Sequence, residues 1–296
     1  MDTDLPALQT IDLDGPVAYR CWEGPSETTF ILIHGLGGLH LNWVRVAPGL
    51  QGLGRVFALD LPGFGGSPLA DRSARLMDLR RTVDRFVSAL GTGTTILAGN
   101  SMGGAIAILQ AAVAPQSVRG LVLTSPALPK VGRAWQHPSI AAALALYDVP
   151  FLGTALATTR VRRLDAERLV RLGFRMTTTH PDAIPEDVVR VHVDAVRDHQ
   201  DDIGAVTAFE QATRSMLLMG RRPDLTARAL DNVRCPVLLL HGRLDRLVPA
   251  SFAEAVLERH PAWRGRIFPD LGHAAQIEAP GRWLSEVADW YAEEFG

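Results

Sequence analysis

Gly99-Asn100-Ser101-Met102-Gly103-Gly104 separates a short apolar run, Thr95 to Gly99, from an alanine-rich stretch, Met102 to Val113. The run reads as a buried strand and the stretch as a helix, so the residues between them form a sharp strand-to-helix turn. Such a turn lifts the Ser101 hydroxyl clear of a sheet in a strained backbone conformation. The flanking glycines lack the Cβ atoms that would collide across it. The helix that starts after Ser101 points its first amides toward any negative charge developing there. Ser101 is therefore the candidate nucleophile. The plainer reading is a glycine-rich turn that only packs closely, and a pattern this short recurs by chance.

Outward from that turn, strand-like and helix-like segments alternate. Thr29 to His34 and Arg55 to Asp60 read as strands before it, and Leu76 to Leu90 carries apolar residues at helical spacing. Val118 to Ser125 follows as a strand. Much later come a strand at Pro236 to Gly242, a helix near Ser251 to Arg259, a strand near Gly265 to Phe268 and a helix from Arg282 to Phe295. Strands apolar throughout, alternating with helices, indicate a parallel sheet covered on both faces. The expected fold class is α/β. Residues 1–126 and 233–296 form the expected core. Residues 127–232 break the rhythm and read as a mostly helical cap, with helices within Ile140 to Tyr147, Asp165 to Arg175, Glu186 to Asp198 and Ile203 to Met219, the last assignable to the core.

A serine hydroxyl needs a base, and the base needs an orienting carboxylate. His273, in Leu271-Gly272-His273-Ala274-Ala275-Gln276, follows the last strand and is the candidate base. Asp245, in His241-Gly242-Arg243-Leu244-Asp245, follows the strand before it and is the candidate acid. Both fall at carboxyl ends of parallel strands, where such sheets place their sites. His34 and His241 precede glycines at strand ends and suit hydrogen bonds to loop backbone. Asp60 precedes Leu61-Pro62-Gly63-Phe64-Gly65-Gly66 and suits a structural role, and Asp270 is too close to His273 in sequence. The amides of Leu36 and Met102 are the candidate oxyanion donors. Gly35, Gly37, His40, Leu144, Phe151 and Met216 are candidate substrate contacts, although the apolar ones among them equally suit packing of the cap on the core.

Composition sets bounds. The chain has 296 residues, 47% of them hydrophobic, and a formal net charge of -2, which suits one large domain with an insertion and no nucleic-acid partner. Lys130 is the only lysine, so no GxxxxGK[ST] phosphate loop exists, and no clustered ligand spacing suggests a metal. No cofactor is expected. Two cysteines make no disulfide framework. No leader pattern opens the chain and no apolar run reaches the ~18 residues of a membrane span, so a cytoplasmic protein acting on a small molecule is expected, as monomer or homodimer.

The pieces HGLGG (34 to 38), DLPGFGGS (60 to 67), GNSMGG (99 to 104), HGRLDRLVP (241 to 249) and LGHAAQIEAP (271 to 280) resemble the α/β-hydrolase superfamily, in its branch of serine esterases, lipases and carbon–carbon hydrolases. The resemblance implies a mostly parallel eight-stranded sheet flanked by helices, a serine–acid–histidine triad and an acyl-enzyme route. The expected activity is hydrolysis of a carboxylic ester of a small or medium apolar acyl or aryl substrate, the apolar cap residues suggesting the acyl or aryl slot. Dehalogenases and epoxide hydrolases of this fold carry aspartate where this chain has Ser101. GNSMGG also resembles the turn in hydrolases of aromatic ring-fission products. Those usually carry a proline in the oxyanion loop and a tryptophan after the histidine, where this chain has Leu36-Gly37-Gly38 and Ala274. That alternative would need an arginine for the substrate carboxylate, with Arg160, Arg163 and Arg175 as candidates. A non-catalytic ligand receptor or scaffold on the same fold is the alternative of another class.

Overall fold

The computed structural model describes residues 5–25, 28–91, 94–127, 165–199 and 202–296. They build one eight-stranded sheet from β1 (Gln9–Asp12), β2 (Pro16–Trp22), β3 (Thr29–Ile33), β4 (Arg55–Leu59), β5 (Thr95–Asn100), β6 (Val118–Thr124), β7 (Val237–Gly242) and β8 (Arg264–Phe268). The spatial order is β1-β2-β4-β3-β5-β6-β7-β8. β2 runs antiparallel to β1 and β4, and every pairing from β4 to β8 is parallel.

Each parallel strand feeds two cores because successive side chains point to opposite faces. Ile31, Ile33, Leu97, Leu121, Leu123 and Leu239 join one cluster. Their chain neighbours Phe30, Leu32, Ile96, Val122, Leu238 and Leu240 join the other. The first face is covered by α2 (Leu76–Leu90) and α3 (Met102–Val113), and the second by α1 (Ala47–Leu50) with the long C-terminal helix. α2 buries Leu76, Leu79, Val83, Phe86 and Val87 along one stripe and stops at Gly91, whose φ of 61° is left-handed. Each such fully buried side chain is worth roughly 1.5–3 kcal/mol against exposure.

Within the segment read as a cap, residues 128–164 lie outside the described residues, and the expected helix at Ile140 to Tyr147 falls among them. The rest holds α4 (Ala166–Thr177), α5 (Glu186–His199), α6 (Ile203–Gly220) and α7 (Pro223–Asp231). α4 and α5 pack Val170, Phe174, Val188, Val189 and Val193 over Leu39, Leu41, Val44, Ala274 and Ile277, forming a third cluster above strand ends. α6 behaves differently. Its Ala208 and Ala212 belong to the first core cluster. Its Gln211 and Ser215 side chains accept the N–H groups of Ala74 and Leu76, which the start of α2 would otherwise leave unpaired. α8 (Ala250–Arg259), α9 (Ala275–Glu278) and α10 (Pro280–Phe295) complete the chain.

Candidate active site

The turn at Ser101 has the conformation its sequence demands. Ser101 sits at φ 55° and ψ -117°, outside the regions L-residues favour. Its N–H donates to Thr124 O at 3.0 Å, and its carbonyl accepts Ala127 N at 2.8 Å, so β6 and the residues after it hold the strain. The glycines are set by space. A Cβ on Gly99 would lie 2.4 Å from Gly103 O, one on Gly103 would lie 2.1 Å from Ile33 O, and one on Gly35 would meet the Ser101 Cβ at 3.1 Å.

Asp245 and His273 are in contact. His273 Nδ1 lies 2.7 Å from Asp245 Oδ2, and both side chains are buried. The other carboxylate oxygen accepts Leu247 N at 2.8 Å and Val248 N at 2.9 Å. His241 stands on the far side, its Nε2 2.9 Å from Val248 O and 3.3 Å from Asp245 Oδ2. Burial alone would raise the Asp245 pKa. The facing charge of His273 and the hydrogen bonds from His241 and His273 outweigh it and hold the carboxyl well below its ordinary range.

Two connections bind the histidine loop to its surroundings. Asn100, beside the serine, donates from Nδ2 to Thr124 O at 3.0 Å and to His273 O at 3.2 Å. Thr177 O, at the end of α4, accepts His273 N at 2.8 Å and Ala274 N at 3.0 Å. Motif reading passed over both groups. Asn100 lies inside the decisive motif, but an amide between strand and turn has no signature of its own.

The Gly35 to Gly38 loop closes the site from the other side. Neither the Leu36 nor the Met102 amide has an acceptor among the hydrogen bonds of the described residues. The loop is braced by His34, which donates from Nδ1 to Gly35 O at 2.7 Å and accepts Leu61 N at Nε2 at 3.0 Å. Burial lowers the His34 pKa, in keeping with this neutral tautomer. Gly37 adopts φ +70°, and a Cβ there would meet the Phe209 ring of α6 at 3.3 Å.

Other expectations fall elsewhere. His40 is not placed to touch substrate: it is buried, its Nδ1 lies 2.9 Å from Asp60 Oδ2, and its Nε2 accepts Arg20 Nε at 2.9 Å. Both ring nitrogens are thus used within the protein. Asp60 also accepts His40 N and Gly66 N, which gives it a scaffold role. Asp270 pairs on the surface with Arg282 at 2.8 Å. Met216 packs, half-buried, against the first core cluster. Leu144 and Phe151 lie outside the described residues, as do Arg160 and Arg163, while Arg175 is exposed. No helix among the described residues is long and apolar enough to cross a membrane.

A buried carboxylate thus holds the His273 ring, in a loop bonded to Asn100, the chain neighbour of Ser101. Known proteins share the chain's frame. The chain is 29% identical over 273 residues to the dihydrolipoyllysine-residue acetyltransferase component of the acetoin cleaving system of Cupriavidus necator, covering 92% of this chain and 66% of that protein. This chain therefore spans just under two thirds of that relative's length. It is 27% identical over 288 residues to a 2-hydroxy-6-oxononadienedioate/2-hydroxy-6-oxononatrienedioate hydrolase of Cupriavidus pinatubonensis, covering 94% of this chain and 92% of the relative. A serine hydrolase from the polyaromatic hydrocarbon-degrading bacterium Cycloclasticus zankles superposes with a TM-score of 0.78 at 17% identity, over 98% of this chain and 99% of that one. That likeness speaks to the fold alone. Residues 28–280 match the family described as alpha/beta hydrolase fold, and with this strand order and this turn at the sheet's carboxyl edge the chain belongs to that family.

Proposed function

We propose that the chain is a serine hydrolase of carboxylic esters with a small or medium apolar acyl or aryl group. The observation that carries this reading is the 2.7 Å contact of His273 with Asp245, in a loop bonded to Asn100, the residue before Ser101. Ser101 Oγ attacks the ester carbonyl while His273 Nε2 takes its proton. Asp245 holds Nδ1–H and stabilises the imidazolium. The Leu36 and Met102 amides receive the oxyanion, and the alkoxide leaves with the proton from His273. Water, activated by the same histidine, then hydrolyses the acyl-enzyme. Of the described residues, α4 and α5 are assigned to the cap because they pack on the third cluster, with α6 and α7 assigned to the core because they pack on α2 and α3.

The test is a panel of p-nitrophenyl esters of increasing acyl length with wild type and Ser101→Ala. Loss of turnover by several orders of magnitude in the variant is expected, and full retention refutes the reading. A second reading, carbon–carbon hydrolysis of ring-fission products, is favoured by the likeness to the Cupriavidus pinatubonensis enzyme. Against it, buried Ala274 offers no large ring beside the histidine, and Arg175 faces solvent. Faster turnover of a vinylogous diketone acid than of any ester would establish that second reading.

A further inference from the structure

Glu278 closes α9 five residues after His273 and faces back toward the histidine loop. Its Oε2 accepts Gly272 N at 2.8 Å. Its Oε1 accepts Thr179 N at 2.8 Å, His180 N at 3.3 Å and the Thr179 hydroxyl. One carboxylate therefore grips the loop that carries His273 and the chain that leaves α4. The two strands of backbone are also pressed together, since a Cβ on Gly272 would lie 2.9 Å from Thr177 O and 3.2 Å from Thr178 Cα. Thr177 O is the acceptor that holds His273 N and Ala274 N. From the opposite side, a Cβ on Gly242 would lie 2.1 Å from Gly272 O, so the end of β7 fixes the loop from below.

We propose that Glu278 is a positioning residue for His273, acting through Thr177 to Thr179; this rests on the reading of His273 as the base. Rigid docking of residues 177–180 keeps the Thr177 carbonyl on His273 N, and that backbone bond sets the direction in which the imidazole leaves the chain. Small displacements of a base cost rate far more than they cost affinity, because proton transfer needs aligned atoms and substrate binding does not. The carboxylate is suited to the task because it accepts four donors with no proton to give.

Glu278→Gln replaces one acceptor oxygen with an amide that faces the Gly272 N–H, donor against donor. Expected is a fall in kcat of roughly 10- to 100-fold on the best ester, with KM within about threefold. Thr179→Val, which removes one donor to Oε1 and leaves the histidine loop's own bond in place, should give a smaller fall in kcat and keeps the test open if the first variant does not fold. In proton NMR, the low-field resonance of the His273 Nδ1–H held by Asp245 should shift or broaden in the variants. A lowered Tm with wild-type kcat and an unchanged resonance would overturn the proposal and leave Glu278 a structural residue. Ser101→Ala separates the two levels. If that variant is inactive and folded Glu278→Gln is fully active, the positioning role fails alone; if Ser101→Ala is active, the catalytic reading has failed.

Discussion

The Asn100 side chain donates to the backbone carbonyl of His273 at 3.2 Å, joining the residue before the nucleophile to the candidate base across the sheet edge. The same amide donates to Thr124 O, which also receives the Ser101 N–H. One buried side chain thus holds three strand ends in register. Asn100→Leu removes the donor to the His273 carbonyl, while Thr124 O keeps the Ser101 N–H, and should cost about 1–3 kcal/mol in urea denaturation. It should also lower kcat about tenfold, because the histidine loop loses its tether to the nucleophile. Equal loss of stability with unchanged kcat would show that the tether does not guide the base.

Asp245→Asn keeps the shape and removes the charge that favours the imidazolium. Turnover should fall by a factor on the order of 10³–10⁴, with the fold retained by circular dichroism. A loss below tenfold would mean that another carboxylate serves His273.

Gly103→Ala tests the spatial reading of the turn. The new Cβ would lie 2.1 Å from Ile33 O, a backbone atom in the middle of the sheet that cannot move aside. Destabilisation of about 3 kcal/mol or more is expected in thermal melts. A variant as stable as wild type would contradict the packing described for the turn.

His192, on α5, donates from Nδ1 to Val188 O at 2.8 Å and meets the Phe174 ring edge-on. Burial pushes its pKa down to about 4 from 6.5. The unfolded chain binds a proton there below pH 6.5 and the folded chain does so only near pH 4, so stability rises with pH across this window. On acidification from pH 6.5 to 4 the loss approaches about 3 kcal/mol. His34, also lowered by burial, adds in the same direction. His192→Phe should therefore show a smaller difference in unfolding free energy between pH 7 and pH 4.5 than wild type. An unchanged difference would remove His192 as the cause.

The parallel part of the sheet was legible because β3, β5, β6 and β7 are buried on both faces at almost every position and so are mostly apolar. The β1–β2 hairpin was not. As an edge pair it mixes exposed and half-buried positions, and only Asp14-Gly15, both at positive φ, signalled the turn between its strands. α7 was missed as well, although Pro223 opens it as a first-turn proline does. Asp245 and His273, which chain order and strand ends single out, lie in contact. Asn100 and Glu278 act through polar contacts that reach elements distant in sequence, the His273 carbonyl and the Thr179 amide, and no local pattern encodes such contacts. His40 has the same lesson in reverse, since nothing local announces that Arg20 and Asp60 claim both its nitrogens.

The Thr177 carbonyl that carries His273 N belongs to a helix pair resting on the third cluster, while the Ser101 N–H is bonded to β6 within the sheet itself. Ser101 and His273 are thus anchored on different packing units, and these need not open together. In a urea series, catalytic activity should fade at a lower midpoint than sheet ellipticity, and the Ser101 amide should outlast the His273 amide in hydrogen exchange. The working enzyme would then be lost while most of the protein is still folded.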